Sequence, residues 1–219
     1  MLIVHSFDPV VLVGGADLGP EDLNIPQRSL ATFVAVDRGA DHLLAHGITP
    51  AAVIGDFDSL SDAARATFSD RLHHIAEQST VDFEKALTNV GAPLIYAVGF
   101  AGGRLDHTLA VLYVMGRFID KPVILLSADD ATAIVPRDGL RLEVPIGCRV
   151  SLMPLADAQV NATGLVWPII DQEMHPMRFT SPSNASATPL VQVHAVGPVL
   201  VTVPRTQAAA LGKAVARAQ

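Results

Sequence analysis

The 219 residues carry 15 basic and 22 acidic side chains, a formal net charge of −7, with 50% hydrophobic and 17% charged residues. That is a globular composition; its acidic balance argues against bulk electrostatic binding to a nucleic-acid backbone, and its single cysteine, Cys148, allows no internal disulfide. The acids divide into 17 Asp and 5 Glu, with 11 of the Asp before residue 107, an excess suited either to turns or to ligation of hard cations.

The N-terminal stretch MLIVHSFDPVVLVGG has neither a basic leader nor a small-residue cleavage site, and no apolar run reaches the roughly 18 residues of a membrane span, so the expectation is a cytoplasmic protein. Short β-branched runs predict strands at Val10–Val13, Thr32–Val36, Ala51–Ile54, Leu72–Ile75, Leu94–Val98 and Val123–Leu126. Between them, helices are expected at Ala40–Ala45, Asp62–Phe68, Phe83–Asn89 and Asp106–Ile119. Gly47 and Gly91 stand where C-capping glycines belong, and Ser61 is an expected N-cap. Runs that are apolar throughout, alternating with helices, imply an open, doubly wound, mostly parallel α/β sheet over residues 1–127.

Beyond residue 127 prolines recur and helix periodicity fades. The short runs Ala131–Val135, Cys148–Met153, Leu190–His194 and Val199–Val203 predict a small antiparallel β-sandwich domain over residues 128–219. Pro168–Pro189 reads as a long polar loop, and Gln207–Ala218 as either a terminal helix or a frayed tail.

Ligands of a parallel α/β sheet sit beyond the carboxyl ends of its strands, and several polar segments fall there. Gly55-Asp56-Phe57-Asp58-Ser59 follows a strand, and two carboxylates at i and i+2 of an extended segment project to one side, where they can share a divalent cation. Gly55 permits close backbone approach. By spacing alone this pattern serves a metal site, a phosphatase of the haloacid-dehalogenase type or plain turn chemistry. Asp37 closes a strand and leads into Arg38-Gly39-Ala40. Asp82 opens a helix, with Lys85 on the same face offering either a surface ion pair or a phosphate contact. Gly102-Gly103-Arg104-Leu105-Asp106-His107 places glycine amides and a guanidinium at a helix start, an arrangement that accepts phosphate; Gly14-Gly15-Ala16-Asp17 is a lesser version. Carboxylates for a cation beside donors for anionic oxygens suit a metal-complexed polyphosphate.

The order and spacing of Asp37–Ala40, Gly55–Ser59, Asp82–Leu87 and Gly102–His107 closely resemble the thiamine pyrophosphokinase (thiamine diphosphokinase) family. Val150–Pro154, Gly164–Pro168 and Ser181–Asn184 look like its later motifs, so the resemblance covers roughly residues 10–203. It implies transfer of a diphosphate group from ATP to the thiamine hydroxyl, giving thiamine diphosphate and AMP. It further implies Mg²⁺ on Asp56, Asp58 and Asp82. Asp37, Gly39, Lys85, Gly102, Gly103, Arg104 and His107 would serve ATP, and Arg104 and Asp106 would act on the reacting phosphates. Trp167, Ser183 and Asn184 would contact thiamine. A homodimer is implied, with sites at the subunit interface between the α/β domain of one copy and the sandwich of the other.

The chain departs from the family pattern in three places. Arg38 replaces a glycine, Ser79-Thr80-Val81-Asp82 replaces Asp-x-Thr-Asp, and Pro182 replaces a threonine. Two other readings use the same residues: a diphosphokinase for another small alcohol such as a pterin, and a thiamine- or nucleotide-binding protein of low catalytic power.

Overall fold

The computed structural model describes residues 2–19 and 21–217. Two compact units are distinguished: one holds the chain through Val114 together with Leu125–Ala128, the other Met115–Ile124 and the chain from Asp129.

The first unit contains β1 (Val4–His5), β2 (Val10–Val13), β3 (Thr32–Val36), α1 (Gly39–Ala45), β4 (Ala52–Gly55), α2 (Asp62–Thr67), β5 (Leu72–His74), α3 (Asp82–Asn89), β6 (Val90–Gly91) and β7 (Ile95–Val98). Helix α4 (Leu105–Arg117) and β8 (Val123–Leu126) complete the α/β pattern. The sheet order is β8-β7-β2-β3-β4-β5, and the pairings of β7, β2, β3, β4 and β5 are all parallel. Strands β2, β4 and β7 are buried at every position, which is why, Tyr96 apart, they carry only apolar residues and glycine. Because the chain runs outward from β2 to β5 and returns to β7 on the other side, the order reverses between β2 and β7. Gly14 and Gly99 meet there: a Cβ on Gly14 would lie 2.5 Å from the Gly99 carbonyl oxygen, so only glycine permits the approach.

The helices start and stop for local reasons. Ser61 caps α2 by accepting the Ala64 N–H at 3.1 Å. Gly47 takes φ +64° just past α1, as a terminating glycine should. Gly91 does not cap α3: Val90 is already extended, and both residues pair in parallel with Val4–His5, which removes the need for a left-handed stop.

The second unit contains β9 (Asp130–Ile134), β10 (Leu140–Glu143), β11 (Arg149–Pro154), β12 (Ala158–Thr163), β13 (Ile169–Met174), β14 (Ser181–Ala185), β15 (Leu190–Val196), β16 (Val199–Pro204) and α5 (Ala208–Ala216). Two antiparallel arrays, β14-β11-β16-β9 and β10-β15-β12-β13, make the sandwich. Strands β10, β12 and β15 alternate, burying Leu140, Leu142, Val160, Ala162, Val191 and Val193 on one face. The expected loop Pro168–Pro189 is corrected here, because it contains β13 and β14. Both are outermost strands in their arrays. An edge position needs few apolar residues and tolerates Pro182, which has no N–H to donate. The terminal segment is helical and buries Leu211, Ala214 and Val215; the last residue of the expected helix, Ala218, lies outside the described residues.

The glycines at the start of α1 and just past its end make a stability test. A Cβ on Gly39 would sit 1.7 Å from the Val13 carbonyl oxygen, whereas around Gly47 nothing lies within 4 Å. Gly39→Ala is expected to lose about 3 kcal/mol or more, since backbone must move, and Gly47→Ala about 1 kcal/mol, the left-handed penalty alone. Urea denaturation of both variants measures the difference.

Candidate functional site

Strands β3 and β4 are parallel neighbours with Val36 opposite Ile54, so the residues that follow them emerge side by side. Asp37 donates its N–H to the Ile54 carbonyl at 2.9 Å and adopts φ +47°. Gly55 makes room for it, because a Cβ there would lie 3.1 Å from the Asp37 Cβ. The Asp37 side chain is buried; its Oδ2 accepts a hydrogen bond from the Ser59 hydroxyl, and its Oδ1 is a buried oxygen without a hydrogen-bond partner among the described residues. Burial pushes its pKa above the ordinary carboxylate value, and the Ser59 hydroxyl offsets only part of that rise.

The convergence of Asp56 and Asp58 has a different origin from the one expected. Phe57 adopts φ +66°, so this segment is a turn and not an extension of β4. The Asp58 N–H donates to Asp56 Oδ1 at 3.2 Å, and Arg65 donates to the Phe57 carbonyl at 2.8 Å while its guanidinium lies 5.6 Å from the Phe57 ring centroid. The buried Phe57 ring turns inward, and its two acidic neighbours share the outer side of the turn. Asp56 also accepts Gln78 Nε2 at 3.0 Å. The Asp58 amide, followed by Gln78, holds its pKa below the ordinary value.

Oxygens of Asp37, Asp56 and Asp58 all lie within 4.8 Å of one another. Three carboxylates this close repel unless a cation intervenes. A donor set of hard oxygens only, one of them buried without a partner, fits a divalent cation of the Mg²⁺ type.

Helix α3 brings in Asp82 and Lys85. Lys85 is not in a surface pair: its side chain is 2% exposed, with Nζ 2.9 Å from Asp82 Oδ1 and 3.6 Å from Asp56 Oδ2. Burial works against its charge, but the hydrogen bond and charge of Asp82, together with the charges of Asp56 and Glu77, outweigh it and raise its pKa. The loop before α3 is organised by Glu77, which accepts Ser79 N–H at 2.8 Å, the Ser79 hydroxyl at 2.5 Å, Thr80 N–H at 3.2 Å and the Thr80 hydroxyl. These bonds, those of the two side-chain hydroxyls foremost, lower the Glu77 pKa to about 2. Ser79, where the chain departs from the family pattern, and its neighbour Thr80 therefore engage Glu77.

Gly102 and Gly103 take φ +90° and +70°, with nothing within 4 Å of a Cβ built on either, so the backbone conformation, not crowding, requires glycine. Next to them Arg104 and Asp106 form a two-point pair at 2.6 and 3.2 Å on the exposed start of α4, and His107 is exposed beside it. The Gly14–Asp17 segment differs from this device: the Gly14 and Ala16 amides donate to Val98 and Gly99 carbonyls, so it joins β2 to β7.

In the second unit Trp167 is 64% exposed and Asn184 is 2% exposed. Asn184 accepts the Trp167 N–H at 3.2 Å and donates to the Trp167 carbonyl at 2.8 Å. It also accepts Ala185 N–H and donates to Ser181 Oγ, which engages the whole carboxamide. Ser183 is exposed, at φ +59°, its N–H held by Ser151 Oγ at 3.0 Å.

The structure thus joins Asp37, Asp56 and Asp58 directly, adds Asp82 through Lys85, and joins Trp167 to Asn184. Sequence reasoning gave no role to Ser59 or Gln78, which hold Asp37 and Asp56. Ser59 stood inside a recognised motif, but Gln78 lies in a polar tract whose only signal is that of a turn.

A model of the catalytic domain of thiamin pyrophosphokinase matches residues 27–125. The thiamine pyrophosphokinase of Bacillus subtilis is 32% identical over 168 residues, covering 69% of this chain and 78% of that protein. Thiamine pyrophosphokinase 3 of rice is 29% identical over 154 residues, covering 62% of this chain and 58% of the rice protein. The match spans less than two thirds of the length of the plant and nematode relatives. In fold, the crystal structure of a thiamin pyrophosphokinase from Geobacillus thermodenitrificans superposes with a TM-score of 0.75 at 23% identity, covering 90% of this chain and 96% of that one.

The buried Asp37 carboxylate yields a pH test. Its raised pKa means that ionisation costs stability in the folded state, a cost absent below the ordinary value of 3.8 and complete above the raised one. Asp37→Asn is expected to raise Tm at pH 7, an advantage that shrinks as pH falls to the ordinary carboxylate value. Thermal unfolding across that range without divalent cations checks it.

Proposed function

The chain belongs to the thiamine pyrophosphokinase family, and on that premise we propose that it transfers the diphosphate group of ATP to the hydroxyl of thiamine, giving thiamine diphosphate and AMP. The observation that carries the reading is the Asp37, Asp56 and Asp58 cluster at the strand ends, with its unpartnered oxygen and a buried lysine alongside.

In this reading Asp56, Asp58 and Asp82 hold Mg²⁺, and Asp37, one of whose oxygens lies within 4.8 Å of oxygens of Asp56 and Asp58, positions ATP with Gly39, Lys85, Gly102, Gly103, Arg104 and His107. Bound Mg²⁺ supplies positive charge to the phosphate oxygens. Lys85 keeps part of the acidic cluster neutralised, which lets a polyanion approach it. Arg104 is prearranged by Asp106 on an exposed surface, so its planar donors can exchange that carboxylate for phosphate oxygens. The thiamine hydroxyl oxygen bonds to the β-phosphorus, the bond from that phosphorus to the bridging oxygen of the α-phosphate breaks, AMP departs with the electron pair, and the hydroxyl proton is released. Catalysis is then mainly positioning and charge stabilisation.

The residues up to 127 form the ATP and Mg²⁺ domain in this proposal, and residues 128–219 the thiamine-binding and dimerisation domain. The exposed Trp167 ring suits stacking on a cationic heterocycle, with Asn184 bracing its backbone and Ser183 the exposed chain neighbour of Asn184 in β14. A homodimer with sites at the subunit interface and a cytoplasmic location complete the reading. Among the described residues no helix is long and apolar enough to cross a membrane.

Incubation with thiamine, ATP and Mg²⁺ should yield thiamine diphosphate and AMP in equal amounts. A pterin alcohol taken in preference would redirect the substrate, and tight thiamine binding without AMP would make the protein a binder. Asp58→Asn, at an exposed turn, should keep the far-ultraviolet circular dichroism of the parent and lose nearly all Mg²⁺-dependent AMP release; parental turnover would sink the assignment.

A further inference from the structure

Gln78 has no evident structural task. It is exposed, and its one described side-chain bond runs from Nε2 to Asp56 Oδ2, 22 residues earlier in the chain, at 3.0 Å. The same oxygen faces Lys85 Nζ at 3.6 Å, while Oδ1 takes the Asp58 amide. The two donors on the Oδ2 side limit how the carboxylate can rotate about its terminal torsion, which is otherwise broad. The loop that delivers Gln78 is fastened by the adjacent Glu77 through Ser79 and Thr80.

We propose that Gln78 is a positioning residue: held by the Glu77-fastened loop and acting with Lys85, it fixes the Asp56 carboxylate so that its remaining lone pairs face the space shared with Asp37 and Asp58. The role rests on the cation site of the proposed function and goes beyond it, since it assigns a task to a residue given none in that reading. Groups that orient a metal-binding carboxylate commonly change metal affinity without being ligands. A hydrogen-bonded amide suits this task better than a second lysine, because it orients the carboxylate without cancelling the charge the cation needs. The replacement of the family's Asp and Thr by Ser79 and Val81 leaves this device intact, because Ser79 and Thr80 serve Glu77.

The test is Mn²⁺ binding to the full chain without nucleotide, read from the paramagnetic resonance signal of free Mn²⁺, alongside steady-state kinetics. Gln78→Leu should weaken Mn²⁺ binding about tenfold and raise the Mg²⁺ concentration for half-maximal rate by a similar factor, with Tm and the thiamine KM unchanged. Gln78→Glu should weaken binding further, since it sets a carboxylate against a carboxylate. Parental Mn²⁺ affinity in Gln78→Leu would overturn the role, as would absence of Mn²⁺ binding by the parent. Should the parent bind Mn²⁺ but form no thiamine diphosphate, the proposed reaction fails while the role of Gln78 is still decided by the Mn²⁺ affinities.

Discussion

Mutual repulsion among three carboxylates is the constraint around which the first unit is arranged. Oxygens of Asp37, Asp56 and Asp58 within 4.8 Å of one another would separate in a flexible chain. They stay together because each is tied to a rigid element: Asp37 to the end of β3, Asp56 to the end of β4, Asp58 to a turn fastened by Arg65. Burial above all, with smaller contributions from the charges of Asp82 and Asp58, raises the pKa of Asp37, while the nearly inaccessible ammonium of Lys85 faces Asp56 and Asp82. A set of hard oxygens held this close has the chemistry that suits a divalent cation.

The sheet makes that arrangement available. Parallel pairing sends the ends of β3 and β4 to one edge, and adjacent strands lie only about 4.8 Å apart, which sets the spacing of the groups that follow them. Glycine then decides how close backbone can come. Gly39 lets α1 begin against the Val13 carbonyl, Gly55 admits Asp37, and Gly14 with Gly99 closes the point where strand order reverses. These positions are demanded by packing, whereas Gly102 and Gly103 are demanded by backbone conformation in open space. The two kinds look identical in a sequence.

Much of the fold was legible. Fully apolar runs identified the buried parallel strands, and Val10–Val13, Thr32–Val36 and Val123–Leu126 have the expected limits. The strands β13 and β14 were missed, because an edge strand facing solvent can be polar and carry proline, and so resembles a loop. Gly91 was misread for a related reason: a helix that passes directly into a strand has no need of a left-handed stop, and only the pairing with Val4–His5 reveals it.

The sequence by itself determined the residue types, their order along alternating strands and helices, and through them the family. Carboxylates placed after apolar runs in a strand–helix alternation must emerge at one sheet edge, whatever the detail. Tertiary structure alone decided the partners. It turned Phe57 inward so that Asp56 and Asp58 converge by a turn instead of strand alternation, buried Lys85 between two acids, bound Asn184 to the backbone of Trp167, and brought Gln78 to Asp56. Hydrogen bonds between residues 17 to 22 positions apart leave no periodic trace, because distance in space and not spacing in the chain sets them.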